Sequence, residues 1–287
     1  MKKYLRMFGS VLLLISLYVI PQFIAGAVLG VVIALNNIEK AQDPAFLQQM
    51  INANIQYAML LGIVISTLIF FIGYSKMKDK IRNCDFTPIS FKNTTFAVLI
   101  GFLLNIFISL ILMLIQTSKT FMNSSDIQEV FSNYAENVGF LMDGNIITVL
   151  LIIGILVPIF EEILYRGLIY KRLVEDINIW VAIIIQAILF GLTHFNLIQG
   201  LYTFVLGIIL ALTYHWVKSI WAPIIIHITF NSANYVVNFI LPLVENSTVG
   251  IIITSVISIA FILIILYKIR KDYIGKYDET NEVTAIA

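Results

Sequence analysis

The stretch GILVPIFEEILYRGLIYKRL, Gly154 to Leu173, continues an uncharged run that begins at Ile146 and then admits Glu161, Glu162 and Arg166. A helix through it is apolar enough to enter a bilayer, yet two adjacent carboxylates stand where the run ends. Ionisable side chains in a span cost about 2.5–3.5 kcal/mol each on insertion scales and usually face a bundle interior. Two questions follow: which fold holds this stretch, and what its acids do.

Composition answers the first. The chain has 287 residues, of which 60% are hydrophobic and 12% charged, with a mean hydropathy of +0.94. Soluble domains are about 45–50% apolar and about 25% charged. The expected fold class is therefore all-α, a polytopic integral membrane bundle. The net charge of +1 offers nothing to attract nucleic acid, so the bilayer is the expected surrounding.

A helix crosses the hydrocarbon in about 20 residues. Eight stretches suffice by this measure: 8–35, 56–74, 95–116, 145–165, 179–195, 197–216, 220–241 and 249–267. Lys and Arg alternate between the ends of these stretches. Lys2, Lys3, Arg6, Lys76, Lys78, Lys80, Arg82, Lys92, Lys171, Arg172, Lys218, Lys268, Arg270, Lys271 and Lys276 fall on one side, against Lys40 and Lys119 on the other. Eight crossings of the cell membrane then put both termini in the cytoplasm. Three blocks are expected: 1–144 with three spans and an external helix, a core at 145–241, and 242–287 with the last span and a tail.

MKKYLR followed by Ala25-Gly26-Ala27 resembles a cleaved leader, but the apolar run continues to Leu35, so a retained first helix is expected. Its Gly26 and Gly30 form a GxxxG pair suited to helix packing. Cys84 is the single cysteine, which excludes an internal disulfide. Between the third and fourth stretches, Ile127, Val130, Phe131, Tyr134, Val138 and Leu141 share one helical face, with Ser125 and Gln128 as a capping box. An amphipathic helix at the interface or against the bundle is expected, with a substrate gate as its alternative role.

Within the apolar stretches the ionisable groups are few. Glu161 and Glu162 are joined by His194 in AILFGLTHF and His227 in APIIIHITFN, while His215 stands at a span edge. Glu162 and Arg166 are spaced i,i+4 with the acid first, the favourable order for a pair. Glu161 lies about 100° round the helix and is left to act. Phe190 with His194, and His227 with Asn231, share faces at the same spacing. Pro158 removes an amide donor and is expected to free the carbonyl of Gly154, kinking the helix beside a polar cavity. Pro223 fits a first helical turn.

EEILYR, FGLTH and HITFN resemble the EExxxR, FxxxH and HxxxN motifs of the CAAX-protease and bacteriocin-processing family of intramembrane proteases, the CPBP or Abi family. The resemblance covers about residues 145–240, with the motifs in family order. It implies an endopeptidase acting on a membrane-associated protein or peptide. It also implies that Glu161 activates water, His194 positions that water, and His227 and Asn231 form an oxyanion hole. Glu162, Arg166 and Phe190 support them. No cofactor is favoured, since Asn231 is a poor metal ligand; a zinc ion on Glu161, His194 and His227 is the alternative. An Ile-, Lys- and Asn-rich composition fits an AT-rich prokaryotic genome, where prenylated substrates are not expected.

Two other classes fit intramembrane Glu and His. A proton-coupled carrier uses such residues, but it tends to show paired repeats, and the first half has no second polar cluster. A bacteriocin-immunity or scaffold protein would bind without cutting, and it has no need of every motif residue.

Overall fold

The computed structural model describes residues 2–72, 84–142 and 145–286, with backbone alone at 71–72, 140–142 and 277–286. Lys76, Lys78, Lys80 and Arg82, which carry much of the expected charge bias, lie outside the described residues. Helices account for nearly all of the described chain, and it contains no strand. The long ones are α1 (Lys2–Asn36), α2 (Pro44–Asn52), α3 (Ile55–Ile72), α4 (Phe91–Gln116) and α5 (Ser125–Met142). They continue as α6 (Ile146–Val174), α7 (Ile179–Leu192), α8 (Leu197–Val217), α9 (Trp221–Ile240) and α10 (Thr248–Ile286). Lipid-facing side chains such as Leu12, Ile24, Val28, Leu68, Ile188 and Phe261 are exposed, as expected of a polytopic membrane protein.

The count of eight spans is higher than the described residues show. Among them, six helices are long and apolar enough to cross, or seven if α2 and α3, bent by 63° at their break, count as one. The fifth expected span is the short one. Its helix α7 has 14 residues, which reach about 21 Å against a hydrocarbon thickness of about 30 Å. It stops because Thr193 begins a turn whose Phe195 takes a left-handed φ of 52°. His194 therefore sits in a turn at the end of a short helix and not within a span.

Close approach of backbones sets the core. A Cβ on Gly191 would meet the Gly200 carbonyl oxygen at 2.6 Å, so α7 and α8 pack nearly backbone to backbone. On the facing helices, α9 is held to α4 by Asn105, whose Nδ2 donates to Phe230 O at 2.9 Å and to Asn234 Oδ1 at 2.8 Å. Pro223 does fall in the first turn of α9.

The external helix α5 forms, with Phe131 buried and Ile127, Val130, Tyr134 and Val138 half-buried on its inner face. Its cap is not the expected one. Ser124 Oγ accepts from Ile127 N, one residue early, and Gln128 Nε2 donates to the carbonyls of Phe121 and Met122. The side chain of Leu141 is outside the described residues.

A short strap precedes α4. Ile220 N donates to Asp85 O at 3.0 Å, while Tyr214 OH and Lys171 Nζ reach Asp85 Oδ2 at 2.9 and 2.8 Å. Cys84 is buried beneath it.

Candidate active site

Helix α6 is where sequence and geometry meet. Asn145 caps its start, accepting from the amides of Ile147 and Thr148. Leu150–Leu156 then runs in π-helical register, Val157–Glu162 in α register, and Ile163–Tyr170 in π register again. π turns inside α-helices gather at functional sites. The first ends with Val157 N donating to Ile152 O. The next bond in that register would run from residue 158 to Ile153 O, but Pro158 has no N–H. Asn231 Nδ2 takes its place, donating to Ile153 O at 3.0 Å. Thus Asn231 satisfies Ile153, and not Gly154 as an α register would require. The π turns absorb the proline within one continuous span.

Glu161 and Glu162 follow, 6% and 0% exposed. Glu162 Oε1 accepts from Arg166 Nη1 at 2.8 Å, both side chains being fully buried. The same oxygen lies 2.8 Å from His227 Nδ1, a contact the sequence did not announce. Since a carboxylate accepts, His227 Nδ1 carries the proton in this bond. Arg166 also gives Nη2 to Gly207 O at 3.2 Å, where Gln186 Nε2 arrives at 2.9 Å. Its guanidinium lies 4.7 Å from the centre of the Phe190 ring. Phe190 in turn meets His194 and His227 edge-on, with ring centres 5.1 and 5.7 Å apart. It is a fully buried wedge that fixes three polar neighbours.

Glu161 faces the other way. Its Oε1 accepts from Tyr18 OH at 2.8 Å, a residue of α1. Its Oε2 lies 3.8 Å from His227 Nε2, too far for a direct hydrogen bond. His194 Nδ1 donates to Phe190 O at 2.8 Å, which leaves Nε2 as its free nitrogen.

Glu161, His194, His227 and Asn231 all line one cavity of about 520 Å³, whose walls also include Tyr18, Gln22 and Gly26 of α1. Glu162, Arg166 and Phe190 stand behind that wall. Gly26 is open to the cavity, with no atom of the described residues within 4 Å of a Cβ placed on it. Among the described residues it does not pack against a helix as its GxxxG spacing suggested, whereas a Cβ on Gly30 would lie 3.5 Å from Ile51 Cδ1. Two groups escaped the sequence reading. Gln186, polar within an apolar run, gave a signal that could have been used; Tyr18 gave none.

Among the described residues, no group of three His, Cys, Asp or Glu side chains is arranged to hold a metal.

Comparison with known proteins finds similarity over the same segment. Residues 143–233 match the family model described as Type II CAAX prenyl endopeptidase Rce1-like. A curated relative, the "Putative membrane peptidase YdiL" of Bacillus subtilis (strain 168), is 34% identical over 83 residues, which are 29% of this chain and 34% of the relative. The match thus spans about a third of that relative's length. No solved structure matches the chain. Both comparisons fall on the segment that carries the three motifs, and they support the CPBP resemblance drawn from them.

Proposed function

We propose that the protein is an intramembrane endopeptidase of the CAAX-protease type that cuts a membrane-associated protein or peptide. The observation that carries this reading is the convergence of Glu161, His194, His227 and Asn231 on one cavity, with Glu161 Oε2 3.8 Å from His227 Nε2. Two polar atoms at that separation are both within reach of one water oxygen. Glu161 takes a proton from this water as its oxygen adds to the scissile carbonyl carbon. His194, with its Nδ1 proton held by Phe190 O, presents Nε2 to accept the water's other hydrogen.

The carbonyl oxygen becomes an oxyanion. Asn231 has a second amide hydrogen beyond the one given to Ile153 O. His227 donates from Nε2 only as the imidazolium, because Nδ1–H already binds Glu162. The proton on Glu161 then passes to the departing nitrogen as the C–N bond breaks. One product carries a new carboxylate and the other a new amine. In this reading both termini face the cytoplasm of the cell membrane, and the substrate is not prenylated.

The test is cleavage of internally quenched peptides in detergent micelles by purified wild-type and Glu161→Gln protein. Cleavage that disappears in the variant is expected; equal cleavage by both, or none by either, would remove the protease reading. Activity is expected to survive exhaustive treatment with 1,10-phenanthroline. Loss on chelation with recovery on added zinc would replace water activation by metal chemistry and leave the protease reading in place.

A further inference from the structure

The carboxylate of Glu161 is held from outside the family segment. Tyr18 belongs to α1, 143 positions earlier in the chain, and its hydroxyl donates to Oε1 at 2.8 Å in a buried setting. We propose that Tyr18 is a positioning residue that fixes Glu161 for the reaction, an inference that rests on Glu161 being the group that activates water.

Three observations carry it. First, the bond uses Oε1 and leaves Oε2 as the oxygen on the His227 side, 3.8 Å from Nε2. A carboxylate free to rotate would exchange these two oxygens and lose that aim. Second, the donor is itself immobilised. The Tyr18 ring is 8% exposed and stacks on Phe160 with centres 5.5 Å apart, and Phe160 stacks on Phe70 at 5.8 Å. Catalytic groups are held to productive geometry by such locked neighbours. Third, Glu161 has a competing attraction. Arg166 lies one helical turn on, and its Nε is buried without a partner among the described residues. The Tyr18 phenol, itself part of the cavity wall, gives the Glu161 carboxylate a hydrogen-bond partner on the cavity side. Tyr18 thus divides the two acids: Glu162 goes to Arg166 and His227, Glu161 to the substrate side.

The experiment uses full-length protein carrying Tyr18→Phe, which keeps the ring and its stacking, and Tyr18→Leu, which removes both. The probe is the best-cleaved member of an internally quenched peptide pool. Tyr18→Phe is expected to lower kcat about ten- to a hundredfold, the range for a lost hydrogen bond to a charged group, with KM within twofold of wild type. In parallel, the Glu161 carboxyl band is located by infrared difference between wild type and Glu161→Gln. That band is expected to move in Tyr18→Phe. An unmoved band, or unchanged kcat, overturns the proposal, as does equal loss of activity and melting temperature in both variants, which would mark mere packing. If wild type and Glu161→Gln do not differ on the probe, the protease reading falls, and the infrared band alone decides whether Tyr18 holds the carboxylate.

Discussion

His227 and Arg166 share one oxygen of Glu162, each at 2.8 Å, so a single buried carboxylate ties the histidine of α9 to the arginine of α6. The arrangement is end-on: Glu162 Oε2 and Arg166 Nε have no partner among the described residues. Such a carboxylate is both a support for the bundle and the orienting group of a cavity-lining histidine.

Glu162→Gln is accordingly expected to lose stability and activity together. Removing one member of a buried ion pair costs about 3–5 kcal/mol, and the glutamine amide cannot hold His227 as an imidazolium. Glu161→Gln is expected to melt within a few degrees of wild type while losing turnover. Thermal melts in detergent, set beside peptide cleavage, separate the two; matching behaviour of both variants would merge their roles.

Asn231 binds Ile153 O and, in the proposed reaction, also serves the oxyanion; a double-mutant cycle can divide the two. Asn231→Ala is expected to lower kcat about 10²–10³-fold as an oxyanion donor is lost. It also orphans Ile153 O, costing about 1–3 kcal/mol of stability. Pro158→Ala supplies an N–H in the register that Ile153 lacks. The stability cost of Asn231→Ala should shrink in that background, while its effect on kcat stays.

Gly26→Leu places a side chain in open cavity space and should abolish cleavage of bulky peptides at an unchanged melting temperature. Activity equal to wild type would show that substrate does not pass the α1 wall.

Burial pushes the Cys84 thiol up to about 11, and Lys171 nearby only partly offsets it. At pH 8 about one such thiol in a thousand is ionised, against about one in four at an ordinary cysteine. Maleimide labelling should be slow in folded protein and fast after SDS. Below this thiol, a Cβ on Gly167 would meet Cys84 Sγ at 2.6 Å. Gly167→Ala should destabilise by about 1–3 kcal/mol, and Cys84→Ala should relieve part of that.

Much of the bundle was legible because apolar runs and helical periodicity are local properties. Each of the eight expected stretches contains a helix among its described residues, and i,i+4 spacing correctly joined Glu162 to Arg166. The misreadings arose where tertiary contact overrides local pattern. Nothing in AILFGLTHF announces that the helix stops at Leu192, because a left-handed Phe195 is a property of the turn as packed. The π turns of α6 moved the orphan carbonyl by one residue, and only a partner on another helix could reveal it. Tyr18 and Gly26, in an apolar run, look like any lipid-facing aromatic and any packing glycine. Their meaning comes from α6 and the cavity, far along the chain.

The cavity's polar side chains come from α1, α6, the turn after α7, α8 and α9, and the oldest of them is made long before the youngest. When Tyr18 is incorporated during synthesis, its acceptor is still 143 residues from being translated. His227 follows later still. The nascent chain therefore carries no complete cavity wall until α9 has been made.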